Sequence, residues 1–198
     1  MCKTYFKNNI MKYMLMFFKS VCLFLFLLSI SGCMEKHCSN IKEASKWKGK
    51  QLILPAKNCY SQFGRDSVIY DIANSSYKIL VLIGKEECIS CKFNIGNWKN
   101  LILEVDSITS SKTEFIIIME PLYQREIYTM LKSYNFLTPI CIDNNCLFRK
   151  TNKMSDSESH VWLVDPNNRI INIGDPTINK NVYNDYLNMI NSHYLFND

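Results

Sequence analysis

From Ile79 onward, continuous apolar runs alternate with apolar residues spaced three and four apart. The run Ile79-Leu80-Val81-Leu82-Ile83-Gly84 is long enough for one strand and apolar on both faces, which predicts a central strand covered from both sides. Cys91, Ile95, Trp98, Ile102 and Val105, with Leu101 beside them, then form one stripe of an amphipathic helix reaching about Asp106. Gly96 lies inside that stripe and weakens a continuous helix by roughly 1 kcal/mol relative to alanine. Phe115 to Met119 predicts a second buried strand. Tyr123, Ile127, Met130, Leu131 and Tyr134 mark a second helix, and Pro139-Ile140-Cys141-Ile142 a short third strand. Val161 to Val164 and Ile170 to Ile173 flank Asp165-Pro166-Asn167-Asn168, whose residues suit a tight turn, so a hairpin is expected. Val182, Tyr186, Met189 and Ile190 close the chain as a helix. The expected order is β-α-β-α-β-β-β-α. It predicts an α/β three-layer sandwich, a central mixed sheet flanked by helices.

The front of the chain is patterned differently. Gly49 to Pro55 reads as an edge strand stopped by proline, and residues 56–76 as a loop with one short strand around Val68-Ile69-Tyr70. Residues 33–50 are polar and lysine-rich without clear period, a tether into the domain. Before them, Lys3, Lys7, Lys12 and Lys19 precede a dense apolar run from Val21 to Leu28 and the small residues Ser29, Ser31 and Gly32. A positive front, an apolar middle and a small-residue exit describe a secretory signal over 1–32, with Met11 or Met14 as alternative starts. The folded domain is then 51–198.

Ile30-Ser31-Gly32-Cys33 resembles the lipobox of bacterial lipoproteins, in which the cysteine is acylated. This implies that Cys33 holds the protein to a membrane of the bacterial cell envelope, the domain lying in the periplasm or outside the cell. An uncleaved anchor is the other reading of the same segment. The net charge of +5 falls to about +1 once the four leader lysines are gone, so no basic face calls for nucleic acid. Of nine cysteines, Cys38, Cys59, Cys88, Cys91, Cys141 and Cys146 remain for an exported domain, a number compatible with disulfides. Cys141 with Cys146, and Cys38 with Cys59, are conceivable pairs.

Chemistry concentrates at Cys88-Ile89-Ser90-Cys91, between the central strand and the helix. Strand, turn and two cysteines at a helix start resemble the thioredoxin-like fold, in particular membrane-tethered thiol–disulfide oxidoreductases of the TlpA and ResA kind. The helix and strand ending in Thr138-Pro139-Ile140-Cys141-Ile142-Asp143, and Val161 to Asp165 with its hairpin, extend the resemblance over about Leu52 to Asn191. It implies that Cys88 is the nucleophile and Cys91 the resolving cysteine, acting on thiols or disulfides of exported proteins without a cofactor or metal. Two residues depart from the family pattern. Ser159, followed by His160, stands where the family has a cis-proline, and Glu87 where it often has tryptophan.

A helix start lowers the pKa of Cys88, Glu86 and Glu87 raise it, and Lys85 and Lys92 offset them, an arrangement that favours a reducing dithiol. His160 is expected either to assist proton transfer or to pack near the site as a loop residue. Trp98 and Trp162 are expected in the core. Three other readings stay open: a permanent disulfide or inert relic, a redox-inactive binding or scaffold module on the same fold, and a zinc site built from Cys88, Cys91, Cys141 and Cys146.

Overall fold

The computed structural model describes residues 46–72, 77–85, 88–109, 113–121, 123–154 and 160–195, together with 16, 17 and 19 of the leader. The rest of the signal segment, Cys33, Cys38, Glu86, Glu87 and Ser159 lie outside the described residues. Contacts divide the chain after Lys46, and the fold below is that of the unit beginning at Trp47.

Strands β1 (Tyr60–Gln62), β2 (Asp66–Val68), β3 (Tyr77–Ile83), β4 (Thr113–Met119), β5 (Ile140–Ile142), β6 (His160–Val164) and β7 (Ile170–Ile173) form one sheet in the order β2-β1-β5-β4-β3-β6-β7. The helices are α1 (Ile89–Lys92), α2 (Ile95–Thr109), α3 (Gln124–Ser133), α4 (Leu147–Thr151) and α5 (Lys180–Leu195). β3 runs parallel to β4, and β4 to β5, while β6, β7 and the β1–β2 hairpin are antiparallel to their neighbours. The mixed sheet with helices on its faces is the fold class expected.

The continuous apolar runs are explained by burial on both faces. Successive side chains of a strand point to opposite sides. Ile79, Val81 and Ile83 of β3 join Phe115, Ile117 and Met119 of β4 in one core with Trp98, Val105, Ile127, Leu131, Tyr186 and Ile190 from α2, α3 and α5. Leu80, Leu82, Ile116 and Ile118 point the other way, against Trp47, Leu52, Trp162 and Phe148 of α4. Trp98 and Trp162 are fully buried, as expected of core residues.

Several details differ from the sequence pattern. The segment from Gly49 does not become a strand; it makes one bridge, Gln51 with Arg169, and hydrogen bonds from Gly49 N to Ile170 O at 2.7 Å and from Leu52 N to Asn168 O at 2.8 Å. Among the described residues of this stretch, 56–72, two short strands form rather than one, because Phe63 and Gly64, both with positive φ, turn the chain between them. A short helix, α4, intervenes between β5 and β6. The turn at Asp165 is as expected: Asn168 N donates to Asp165 O at 2.9 Å, and Arg169 N to Asp165 Oδ1 at 2.7 Å.

The helix after Cys88 is broken. α1 is a single turn that ends at Phe93, and α2 starts again at Ile95. In one continuous helix Phe93 would point roughly 200° away from Ile95, so the two cannot both face the core. Both are buried, Phe93 to 1 % exposure. Phe93 stacks on Trp98 at 5.9 Å and meets Phe136 edge-on at 5.5 Å. Asn94 caps the restart, its Oδ1 accepting from Asn97 N at 3.2 Å. Gly96 therefore sits in the first turn of α2, where an added Cβ would meet nothing closer than Asn94 Oδ1 at 3.6 Å.

Candidate functional site

The carboxyl ends of the three parallel strands converge on one edge of the domain. Beyond the strands the ladder continues, with Glu120 N donating to Ile83 O at 3.0 Å and Asp143 N to Met119 O at 2.8 Å. Gly84, Lys85 and Cys88 follow β3 at this edge. Cys88 is exposed, takes extended backbone angles as the residue before α1, and is disulfide-bonded. Its Sγ lies 3.3 Å from Ser90 Oγ. Lys92 N donates back to Cys88 O at 3.0 Å, closing the single turn of α1, which also contains the backbone of Cys91. Because α1 has four residues, the dipole of the long helix begins at Ile95 and not at Cys88. The thiolate-favouring field expected from a continuous helix is correspondingly reduced.

Beside this edge lies a charged cluster that the sequence analysis did not anticipate. Glu120 and Arg149 are both buried, and Arg149 Nε donates to Glu120 Oε1 at 2.9 Å and Oε2 at 2.7 Å. Asp143 caps α4, its carboxylate accepting from Leu147 N at 2.9 Å and Phe148 N at 2.8 Å. Cys146 precedes α4 with left-handed angles, φ 52° and ψ 39°. Its thiol pKa is raised, chiefly by burial and then by the charges of Glu120 and Asp143, against the lowering effect of Lys85 and Arg149. The signal was present: an acidic residue stands directly after each of two apolar runs, Met119-Glu120 and Ile142-Asp143.

His160 is the first residue of β6, not a loop residue, and is 4 % exposed. Its ring stacks on Trp162 at 4.9 Å and lies 6.0 Å from Trp47. It pairs with Leu82, one residue short of the end of β3. Strand alternation explains the burial, since His160 and Trp162 share the face that Trp47 covers. Ser159, the preceding residue, lies outside the described residues.

The conceivable bridge between Cys141 and Cys146 does not form. Both thiols are free, as is that of Cys59. Cys141 points from β5 into the core below Trp47 and Phe148, whereas Cys146 starts α4. The four-thiolate zinc arrangement also loses its members, because Cys88 is already in a disulfide and Cys141 shares a cavity with Cys59 instead.

No protein-family profile matches the sequence. No curated protein matches it either. Solved structures do. The thioredoxin domain of a thiol-disulfide oxidoreductase from Bacteroides vulgatus superposes with a TM-score of 0.53 at 10 % identity, over 72 % of this chain and 97 % of that one. A thiol:disulfide interchange protein from a Bacteroides species gives a TM-score of 0.52 at 11 % identity, over 73 % and 91 %. At such identities the likeness establishes the fold: this chain has a thioredoxin-like fold.

Proposed function

We propose that this chain is an exported, lipid-anchored thiol–disulfide oxidoreductase in which Cys88 and Cys91 act on cysteines of exported proteins. The observation that carries the reading is Cys88 itself. It is exposed and disulfide-bonded, and it stands between the central strand and a helical turn of a thioredoxin-like fold. In the reducing direction the Cys88 thiolate attacks one sulfur of a partner disulfide, forming a mixed disulfide and releasing the partner's other thiolate. Cys91, once deprotonated, attacks Cys88 Sγ and frees the second partner thiolate, leaving Cys88–Cys91 oxidised and the partner reduced by two electrons. The one-turn α1 lends Cys88 little dipole stabilisation, which supports the reducing role: a thiolate less favoured gives a disulfide less prone to accept electrons. Residues 1–32 serve as the signal, Cys33 carries lipid, 33–46 tether the domain, and the folded unit begins at Trp47, earlier than the sequence boundary at 51, because Trp47 packs into the core.

Reduction of insulin by dithiothreitol, followed as turbidity, tests the activity. The wild-type chain is expected to accelerate precipitation and Cys88→Ser to give the uncatalysed rate. Equal rates for the two proteins overturn the proposal and leave the fold as a binding or scaffold module.

A further inference from the structure

Two of the free cysteines border one cavity away from the CxxC turn, on the sheet face opposite α2 and α5. Cys59 and Cys141 line one cavity of about 240 Å3, walled by Leu54, Pro55, Leu147 and Phe148. The β1–β5 register sets Tyr60 opposite Cys141, so Cys59, one residue earlier, is the diagonal neighbour of Cys141. Opposed Cα atoms in an antiparallel pair are about 4.5–5.5 Å apart. One further residue along the chain places the two cysteine Cα atoms about 6 Å apart, within the usual span of a disulfide.

Neighbours offset by one residue in a regular strand point to opposite faces, which would forbid a bond. Cys59 escapes this because it precedes the strand. Its N–H donates to Ala56 O at 2.9 Å in a turn, and it lines the same cavity as Cys141. We propose that Cys59 and Cys141 are a second dithiol of the domain, oxidised reversibly to a disulfide by low-molecular-weight disulfides.

Exposure assigns the order of events. Cys59 is exposed and Cys141 is 6 % exposed. The Cys59 thiolate attacks a small disulfide, forming a mixed disulfide and expelling one small thiolate. Cys141 gives up its proton and attacks Cys59 Sγ, expelling the second; the two protein thiols lose two electrons and two protons, and two small thiols form. Burial first, then the neighbouring Cys59 and Asp143, push the Cys141 thiol up to about 12, so this second attack is the slow step. The bond would tie the turn before β1 to β5. It does not depend on turnover at Cys88.

Peptide mapping of the full chain after equilibration with oxidised glutathione tests the proposal. Cys146→Ser is the background, because trypsin leaves positions 141 and 146 on one peptide, 133–149. Peptides 58–65 and 133–149 are expected joined, two hydrogens lighter than the reduced pair and separated by dithiothreitol. Adding Cys141→Ser should stall the reaction as a glutathione adduct on Cys59, and adding Cys59→Ser should leave Cys141 unoxidised. A glutathione adduct on Cys59 as the final product beside an intact Cys141, or two free thiols, overturns the proposal. The joined peptide must also form in the Cys88→Ser background; its loss there overturns the claim of independence.

Discussion

Removing either partner of the buried Glu120–Arg149 pair should cost more stability than removing both. The guanidinium and carboxylate are 5 % and 1 % exposed as residues, with Nε 2.7 Å from the nearer oxygen. At an effective dielectric constant near 20, such a separation is worth about 6 kcal/mol of attraction. Desolvating each ion costs several kcal/mol, so the pair as a whole contributes little net stability. Taking away one charge removes the attraction and leaves the other ion desolvated, a loss of about 3–5 kcal/mol. Glu120→Leu and Arg149→Met are each expected to lower the unfolding free energy by that amount. With a urea dependence of about 2 kcal/mol per molar, the midpoint falls by roughly 1.5–2.5 M. The double variant should lie within about 2 kcal/mol of wild type, because two apolar side chains then meet where two ions did. Urea titrations of the four proteins, followed by far-ultraviolet circular dichroism, close the cycle. Single variants that each lose less than 1 kcal/mol, or a double variant as unstable as the sum of the singles, would refute the reasoning.

Two further perturbations probe other parts of the domain. Asn94→Ala deletes the side chain that accepts from Asn97 N and is expected to cost about 1 kcal/mol, with Asn94→Ser recovering most of it in the same titrations; equal stability of all three proteins would show that the helix restart does not need the cap. Tyr183 donates to Glu104 Oε1 at 2.6 Å, and burial, followed by this bond and the carboxylate charge, raises its pKa from 10.0 to about 12. The folded state therefore holds this proton more tightly than the unfolded chain, so the contribution is intact below pH 10 and declines between pH 10 and 12. Tyr183→Phe should flatten the fall in urea midpoint across that window, and an unchanged pH profile would count against the bond.

How far the sequence spoke depends on which force set each element. β3 and β4 are readable because double-sided burial demands uninterrupted apolar residues, and the turn at Asp165 because its residues carry their own turn chemistry. The segment around Gln51 was misread because an edge strand and a single bridge share a sequence pattern, and what differs is how much backbone the neighbour offers. The break at Phe93 was concealed by a good stripe, Cys91 to Val105, although a large aromatic residue on the wrong side of that stripe was a clue. For the candidate site, Cys88 was legible as a local motif. Glu120 with Arg149 was not, since the partners lie 29 residues apart and only the meeting of β4 with α4 brings them together. The burial of His160 likewise depends on Trp47, contributed from the far end of the domain.

The position of the β1–β2 hairpin bears on how the domain comes into being. β1 pairs with β5, and the facing residues Tyr60 and Cys141 stand 81 positions apart. A ribosome adding about 5–20 residues each second finishes the hairpin several seconds before its neighbour strand exists. For that interval the inner margin of the hairpin has no native partner, while the β3–β4 unit can assemble behind it. Hydrogen exchange during refolding should accordingly protect Ile79 to Leu82 and Phe115 to Ile118 ahead of Tyr60 and Ser61, making the first-synthesised strand among the last to be secured.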